Sequence, residues 1–398
     1  MISLGLNSTQ QKALNSLFLS NHGVKITVSL LDLEHRSLGA LTDFFLDGQV
    51  TINADSEVTR ALTLNLLDPK RELTLDTMSP VDGGLFLDRM IRVVMTVITP
   101  DKQTWFDIPL FTGPITKMNR NDVVVSIECQ GKEILGLTEA WRARTFKKGM
   151  LKRDAIYQIL RYSMGETKMT LPSSATSRLT KDTALSNKTK PWVAAKNIAK
   201  SMGYQLYYDG RGVAVMRPQP KSSVWTFTDN QYGSIITKPQ IEYRTDSLVN
   251  AVRVYGAVPK GKKKPLAATR VAPSTHPLSP SKLGRNGVPR YMWIEVQDDN
   301  LTTQSAVNDR ANDLLYAGLV QGVNVAFDSL PIPTLEELDI VRVNPDEFSM
   351  LVALRQMTIP LTIDQPSTIG YLRNVSKGVR RAKRVGPALD LGKKGASR

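Results

Sequence analysis

The chain has 398 residues, 41% hydrophobic and 22% charged, with one cysteine, three histidines and a formal net charge of +15. That length predicts about two to four domains with ordinary cores. The lone Cys129 excludes an internal disulfide framework and multi-cysteine metal sites, and His22, His35 and His276 leave little for a histidine-based centre. No apolar run approaches the ~18 residues of a membrane span, and residues 1–7 hold no basic side chain before their apolar stretch, so neither a transmembrane helix nor a secretory signal is expected.

In chain order, Ser8 with Gln11 fits a capping box, and Leu14, Leu17 and Phe18 make an apolar stripe, predicting a short helix over 8–20. From 24 to 130 the period becomes two, as in Val24-Lys25-Ile26-Thr27-Val28-Ser29-Leu30 and Ala61-Leu62-Thr63-Leu64-Asn65-Leu66. Turn signals such as Asp47-Gly48, Asp68-Pro69, Asp82-Gly83-Gly84 and Asn121-Asp122 separate the strands, which suggests an antiparallel sandwich or barrel. Residues 152–164 read as a helix with Ile156, Ile159 and Leu160 on one face and Gly165 as its stop. A long Ser/Thr/Lys-rich loop follows over 167–190, then a second helix from Pro191 to Met202, and a hairpin 204–218 about Asp209-Gly210-Arg211-Gly212. A second β region runs over 235–372, with a helix at 304–316. It is interrupted at 258–286 by seven basic residues and no acid. The stretch 371–398 carries nine basic residues against Asp390, and the remaining chain has 36 basic and 36 acidic residues. The body is therefore formally neutral, with a basic loop and a basic tail. Few apolar anchors offset the ordering entropy of either, so both are expected to be mobile.

Chemistry is scarce in this pattern. The metalloprotease, P-loop, dinucleotide and nucleophile-elbow motifs are absent from the sequence. His22 and His35 read as surface histidines, and Cys129, in phase with Val125 and Ile127, as core. Glu336-Glu337-Asp339 and Asp298-Asp299 invite a glycosidase reading, which needs two carboxylates at a set separation; Glu336 and Glu337 sit instead in what reads as a turn before a strand. Trp105, Trp192, Trp225 and Trp293 are read as core or interface residues. No catalytic, cofactor-binding or metal-binding residue is assigned. The candidate contacts to a partner or polyanion are Lys260, Lys262, Lys263, Lys264, Arg380, Arg381, Lys383 and Arg384.

The order of several short segments resembles a known family. They are Leu110-Phe111-Thr112-Gly113-Pro114-Ile115-Thr116-Lys117, Val123-Val124-Val125-Ser126-Ile127-Glu128-Cys129-Gln130-Gly131-Lys132, the helix–loop–helix leading to Met202-Gly203-Tyr204-Gln205-Leu206-Tyr207-Tyr208-Asp209-Gly210, and Leu248-Val249-Asn250-Ala251-Val252-Arg253-Val254-Tyr255-Gly256. Over about residues 20–372 this resembles the tail hub, or baseplate hub, family of tailed bacteriophages, the minor tail proteins of long-tailed phages. The resemblance implies a mainly β fold with an α+β insert: an N-terminal arm (1–20), a first tail-tube-like β-barrel (21–148), a small α+β module (149–234), a second tail-tube-like β-barrel with the basic insertion (235–372), and a basic flexible C-terminal tail (373–398). It further implies a homotrimer whose six barrels continue a hexameric tail tube around the DNA exit channel. The implied partners are the tube or distal tail protein, other baseplate proteins, the tape-measure protein and, transiently, ejected DNA. The implied location is the virion tail tip, assembled in the host cytoplasm, with no cofactor and no catalytic residue. Two alternatives stand beside it: a nucleic-acid-binding protein using the basic loop and tail, and a host-glycan-binding tail protein.

Overall fold

The computed structural model describes all residues except 3, 74–83, 88, 141, 219, 221, 231–232, 244–247, 300, 321–322, 346–347, 363–364, 375–379 and 382–398. The chain is mostly β, with 40% of the described residues in strands and 17% in helices. Helix α1 (Ser8–Leu17) is capped one residue earlier than the sequence predicts. The Asn7 side chain accepts from Gln10 N at 2.9 Å, and Gln10 Oε1 accepts from Asn7 N at 3.1 Å. Asn7 takes the cap because it keeps extended backbone while Ser8 is already helical. Leu14, Leu17 and Phe18 are buried, as the stripe predicts.

Seven strands follow: β1 (Gly23–Leu31), β2 (Ser37–Ala40), β3 (Phe45–Asn53), β4 (Arg60–Leu67), β5 (Met90–Ile98), β6 (Trp105–Asn121) and β7 (Val124–Gln130). Alternation decides their faces: Ile26, Val28 and Leu30 in β1, Leu62, Leu64 and Leu66 in β4, and Val125, Ile127 and Cys129 in β7 all point into the core. The Asp82-Gly83 part of a predicted turn lies outside the described residues.

The α+β part holds β8 (Arg144–Phe146), α2 (Lys152–Ser163), β9 (Met169–Thr170), β10 (Thr183–Leu185), α3 (Pro191–Lys200), β11 (Tyr204–Tyr208) and β12 (Ala214–Pro218). Ile156, Ile159 and Leu160 of α2 meet Trp192, Tyr208 and Met216 in a separate hydrophobic cluster, and Trp192 stacks on Tyr208 with ring centroids 5.0 Å apart. The expected long loop 167–190 contains β9 and β10, which pair with β12 and β8. Two- and three-residue strands bury too few alternate side chains to stand out from a polar stretch.

The remaining elements are β13 (Trp225–Thr228), β14 (Gln240–Tyr243), β15 (Ala251–Tyr255), β16 (Ala267–Val271), α4 (Pro280–Leu283), β17 (Trp293–Gln297), α5 (Gln304–Val320), β18 (Val323–Ser329), β19 (Ile340–Asn344), β20 (Phe348–Ala353), β21 (Gln356–Pro360), β22 (Ser367–Asn374) and β23 (Arg380–Arg381). The basic segment 258–286 is therefore not one loop: it supplies β16 and α4, because pairing with β15 gives Ala268 a buried place.

Strand pairing joins the two β regions. β21 runs antiparallel to β3, from Gln356↔Asn53 to Pro360↔Gln49. The result is one fifteen-stranded sheet with main path β13-β19-β20-β22-β21-β3-β4-β7-β6-β5-β1-β2 and branches at β14, β18 and β23. The core is shared too, with Leu62, Phe111 and Ile127 in the same cluster as Phe227, Val341 and Met357. Two tail-tube-like barrels were expected, but no pairing among the described strands closes either region into a ring. The physical reason lies at the edges: β3 gives its second edge to β21, and β2 pairs with β1 alone. Apart from this sheet, β16-β15-β17 form a three-stranded sheet. Val307, Ala311 and Leu315 of α5 pack on its Val252, Val254 and Ala268.

Candidate functional site: a buried ionic junction and a basic sheet face

Charged side chains are concentrated where the main sheet, the α+β part and the 331–339 segment meet. Arg60 opens β4 in phase with Leu62, Leu64 and Leu66, so the strand aims its guanidinium inward at 4% exposure. A buried guanidinium must satisfy its fixed fork of donors. Arg60 Nη1 donates to Leu110 O at 2.9 Å, Nε donates to Tyr208 O at 3.3 Å, and Nη2 pairs with the buried Glu336 carboxylate. Burial works against charge on Arg60, but the Glu336 charge and hydrogen bond, together with the nearby Glu337 and Asp209 charges, outweigh it and keep the guanidinium protonated. Arg217 of β12 lies over the Tyr207 ring, donates to Glu337 O at 2.7 Å and pairs with Asp339 at 3.1 Å. Asp339 also accepts from Glu336 N at 2.8 Å and pairs with the Met1 amino group at 2.5 Å.

A second group lies beside it. Lys132 pairs with Glu166 at 2.5 Å, contacts His35 Nε2 at 3.0 Å and donates to Gly212 O at 3.3 Å. His35 is thus half-buried against a lysine rather than free on the surface, and burial with the Lys132 charge holds its pKa down to about 4. Thr59 Oγ1 donates to Glu133 Oε1 at 2.6 Å. Glu133 Oε2 and Glu337 Oε2 are buried without a hydrogen-bond partner among the described residues. Burial, reinforced by the Glu133 charge, pushes the Glu337 carboxyl up to about 7. Glu336, Glu337 and Asp339 are at most 4% exposed, so they cannot flank a glycosidic bond as paired catalytic carboxylates must. The junction clamps elements together.

The predicted contact residues fall in three places. Lys260, Lys262, Lys263 and Lys264 are exposed on the turn between β15 and β16. Arg380 and Arg381 form β23, paired with Ser349 and Phe348 of β20. Lys383 and Arg384 lie outside the described residues. The two basic groups therefore stand on different sheets. Sequence reasoning missed Arg60, Arg217, Lys132, Glu133 and Glu166. Arg60 alone carried a visible signal, a charge in the inward phase of an apolar strand. Trp192 and Trp225 are buried, whereas Trp105 and Trp293 are 63% and 44% exposed. Trp105 walls a shallow groove of about 640 Å³ on the outer face of β1, β5 and β6, with Lys25, Thr27, Thr96 and Asp107.

No protein-family profile and no curated protein matches the sequence. Solved structures do match. A tail protein from Neisseria meningitidis MC58 is similar at a TM-score of 0.60 and 14% identity, covering 88% of this chain and 96% of that one. The 43 kDa tail protein of prophage MuSo2 from Shewanella oneidensis gives 0.58 at 10% identity, over 87% and 98%. Prophage tail protein gp18 from Listeria monocytogenes EGD-e gives 0.51 at 11% identity, over 88% and 95%. At such identities the likeness is one of fold, and it extends over nearly the whole of each chain.

Proposed function

We propose that the chain is a structural component of a phage-type tail: a trimeric hub that joins a hexameric tail tube to the distal tail or baseplate and lines part of the DNA exit channel. The observation that carries this reading is the fold shared with three bacterial and prophage tail proteins over 87–88% of the chain. Symmetry favours three copies. Two β regions per chain, over 21–148 and 235–372, give six around a ring that must mate with a sixfold tube, and another copy number leaves the joint mismatched. On this reading the main sheet becomes part of the ring wall, and any closure into barrel-like units comes from the assembled subunits. A formally neutral body suits a channel wall, because a strongly basic lumen would retard DNA through phosphate binding. Tube, distal tail, baseplate and tape-measure proteins are the proposed partners, and the virion tail tip is the proposed location. The role on this reading is structural rather than enzymatic: in the acidic cluster that invited a glycosidase reading, Glu336 and Asp339 are engaged in ion pairs and Glu337 is buried.

The test is a reconstruction of the intact tail end. Three copies in one ring are expected, each contributing two β regions to the wall; six copies, or a chain lying off the tail axis, would overturn the hub reading.

A further inference from the structure

The sheet formed by β15, β16 and β17 has one covered face and one open face. On the covered side Val252, Val254 and Ala268 meet α5, and Arg270 Nε donates to Asn312 of that helix at 2.7 Å. Period-two alternation turns Arg253, Thr269, Val271, Trp293 and Glu295 the other way. Large side chains stay uncovered there: Trp293 is 44% exposed, Tyr291 47% and nearby Val288 68%. The Tyr291 and Trp293 rings stack, with centroids 5.5 Å apart at 20°. The Arg253 guanidinium lies 5.1 Å from the Trp293 centroid and donates to Glu295 at 2.8 Å. Residues 258–292 carry eight basic side chains and no acidic one, and the 260–264 turn follows Tyr255, at the end of the sheet away from Trp293, which pairs with Ala251.

We propose that this open face docks an acidic, partly apolar surface of another tail protein, with Trp293, Tyr291 and Arg253 as anchors and the 260–264 lysines as rim. The proposal rests on the tail reading and names a contact within it. Trp, Tyr and Arg are the side chains that most often carry interface energy, and they do so inside a polar rim. Here the ladder is pre-organised, so docking orders few side chains and loses little rotamer entropy. Charge selects the partner: the eight positive charges of 258–292 match an acidic surface, whereas the chain outside 258–286 and 371–398 is formally neutral. Nucleic acid fits less well. The Trp293 ring is already engaged by Tyr291 and Arg253, leaving less of it for a base to stack on, and the Glu295 carboxylate in the middle of the face repels phosphate.

The experiment uses assembled tails. Val288→p-benzoylphenylalanine places a photocrosslinker beside the ladder without altering an anchor, and irradiated tails are analysed by mass spectrometry. The expected product joins position 288 to a net-acidic peptide of a different tail protein. Its yield should fall about tenfold when Lys262, Lys263 and Lys264 are all changed to Glu, as reversing rim charge slows encounter. If that variant does not assemble, Trp293→Ala gives the same readout at an exposed position. Crosslinks to a second copy of this chain or to DNA would overturn the proposal, as would no crosslink in tails that contain the chain. So would a yield indifferent to both substitutions. Absence of the chain from purified tails would instead remove the functional reading, and this contact with it.

Discussion

Arg60 and Glu337 show how single charged residues shape this protein. Arg60 occupies a leucine position in β4, and its donors tie β6, β11 and the 331–339 segment to that strand. Glu337 is nearby with one buried oxygen unpartnered and a carboxyl pushed up to about 7 by burial and by Glu133. An unfolded glutamate titrates near 4.5. The folded chain therefore holds this proton more tightly than the unfolded one. The stability contributed by the protonated carboxyl is complete below the unfolded value and is lost as pH rises from about 4.5 to 7, on the order of 3 kcal/mol in all. Glu337→Gln keeps the backbone carbonyl that Arg217 uses and removes the titration. Urea midpoints of variant and parent should nearly coincide at pH 5, and the variant should be the more stable at pH 8. A variant less stable than the parent at pH 8 would mean that the carboxylate is satisfied there.

At the scale of elements, the hairpin of β11 and β12 is pressed on the main sheet through its turn. The Thr112 hydroxyl donates to Gly210 O at 3.0 Å, and a Cβ at Gly210 would stand 2.0 Å from Pro109 O, where only backbone could yield. Gly210→Ala should cost about 1–3 kcal/mol, as overpacking usually does, and should raise amide exchange in 204–218. An unchanged urea midpoint would mean that the hairpin lifts off without penalty. The turn between β15 and β16 is different, since its four lysines are all exposed. Limited trypsin digestion should cut within 260–264 before it cuts β1–β4, leaving the main sheet intact; first cuts within 24–67 would contradict this. Both expectations follow from how deeply each turn is packed, which polar turn composition does not reveal.

For the whole molecule, the decisive feature is the pairing of β3 with β21. It places strands some 300 positions apart in one sheet over one core, so β3, β4 and β21 should open with the same free energy in hydrogen exchange. The unit of β15–β17 and α5 has its own small cluster, with six buried residues among those described, Val252, Val254, Ala268, Val307, Ala311 and Leu315, and should open at lower cost. Unequal opening of the two parts of the main sheet would show that β3 and β21 join separately stable bodies.

What the sequence by itself determined is local. Alternation marked Val28, Leu64 and Ile127 as inward, the 3.6 period marked Ile156 and Leu160, Pro191 started a helix, and the Asp-Gly signal placed the hairpin. Each depends on residues a few positions apart, whose effects on backbone and burial can be read without the rest of the chain. The order of these segments also pointed to a phage tail fold, which the structural likeness bears out. Only the tertiary structure decided the rest. Which edge β3 pairs with, that Arg60 meets Glu336 across 276 positions, and that Trp293 faces outward are choices among partners distant in sequence. Hydrogen-bonding edges and buried charges state a need for a partner without naming it, so the name comes from packing.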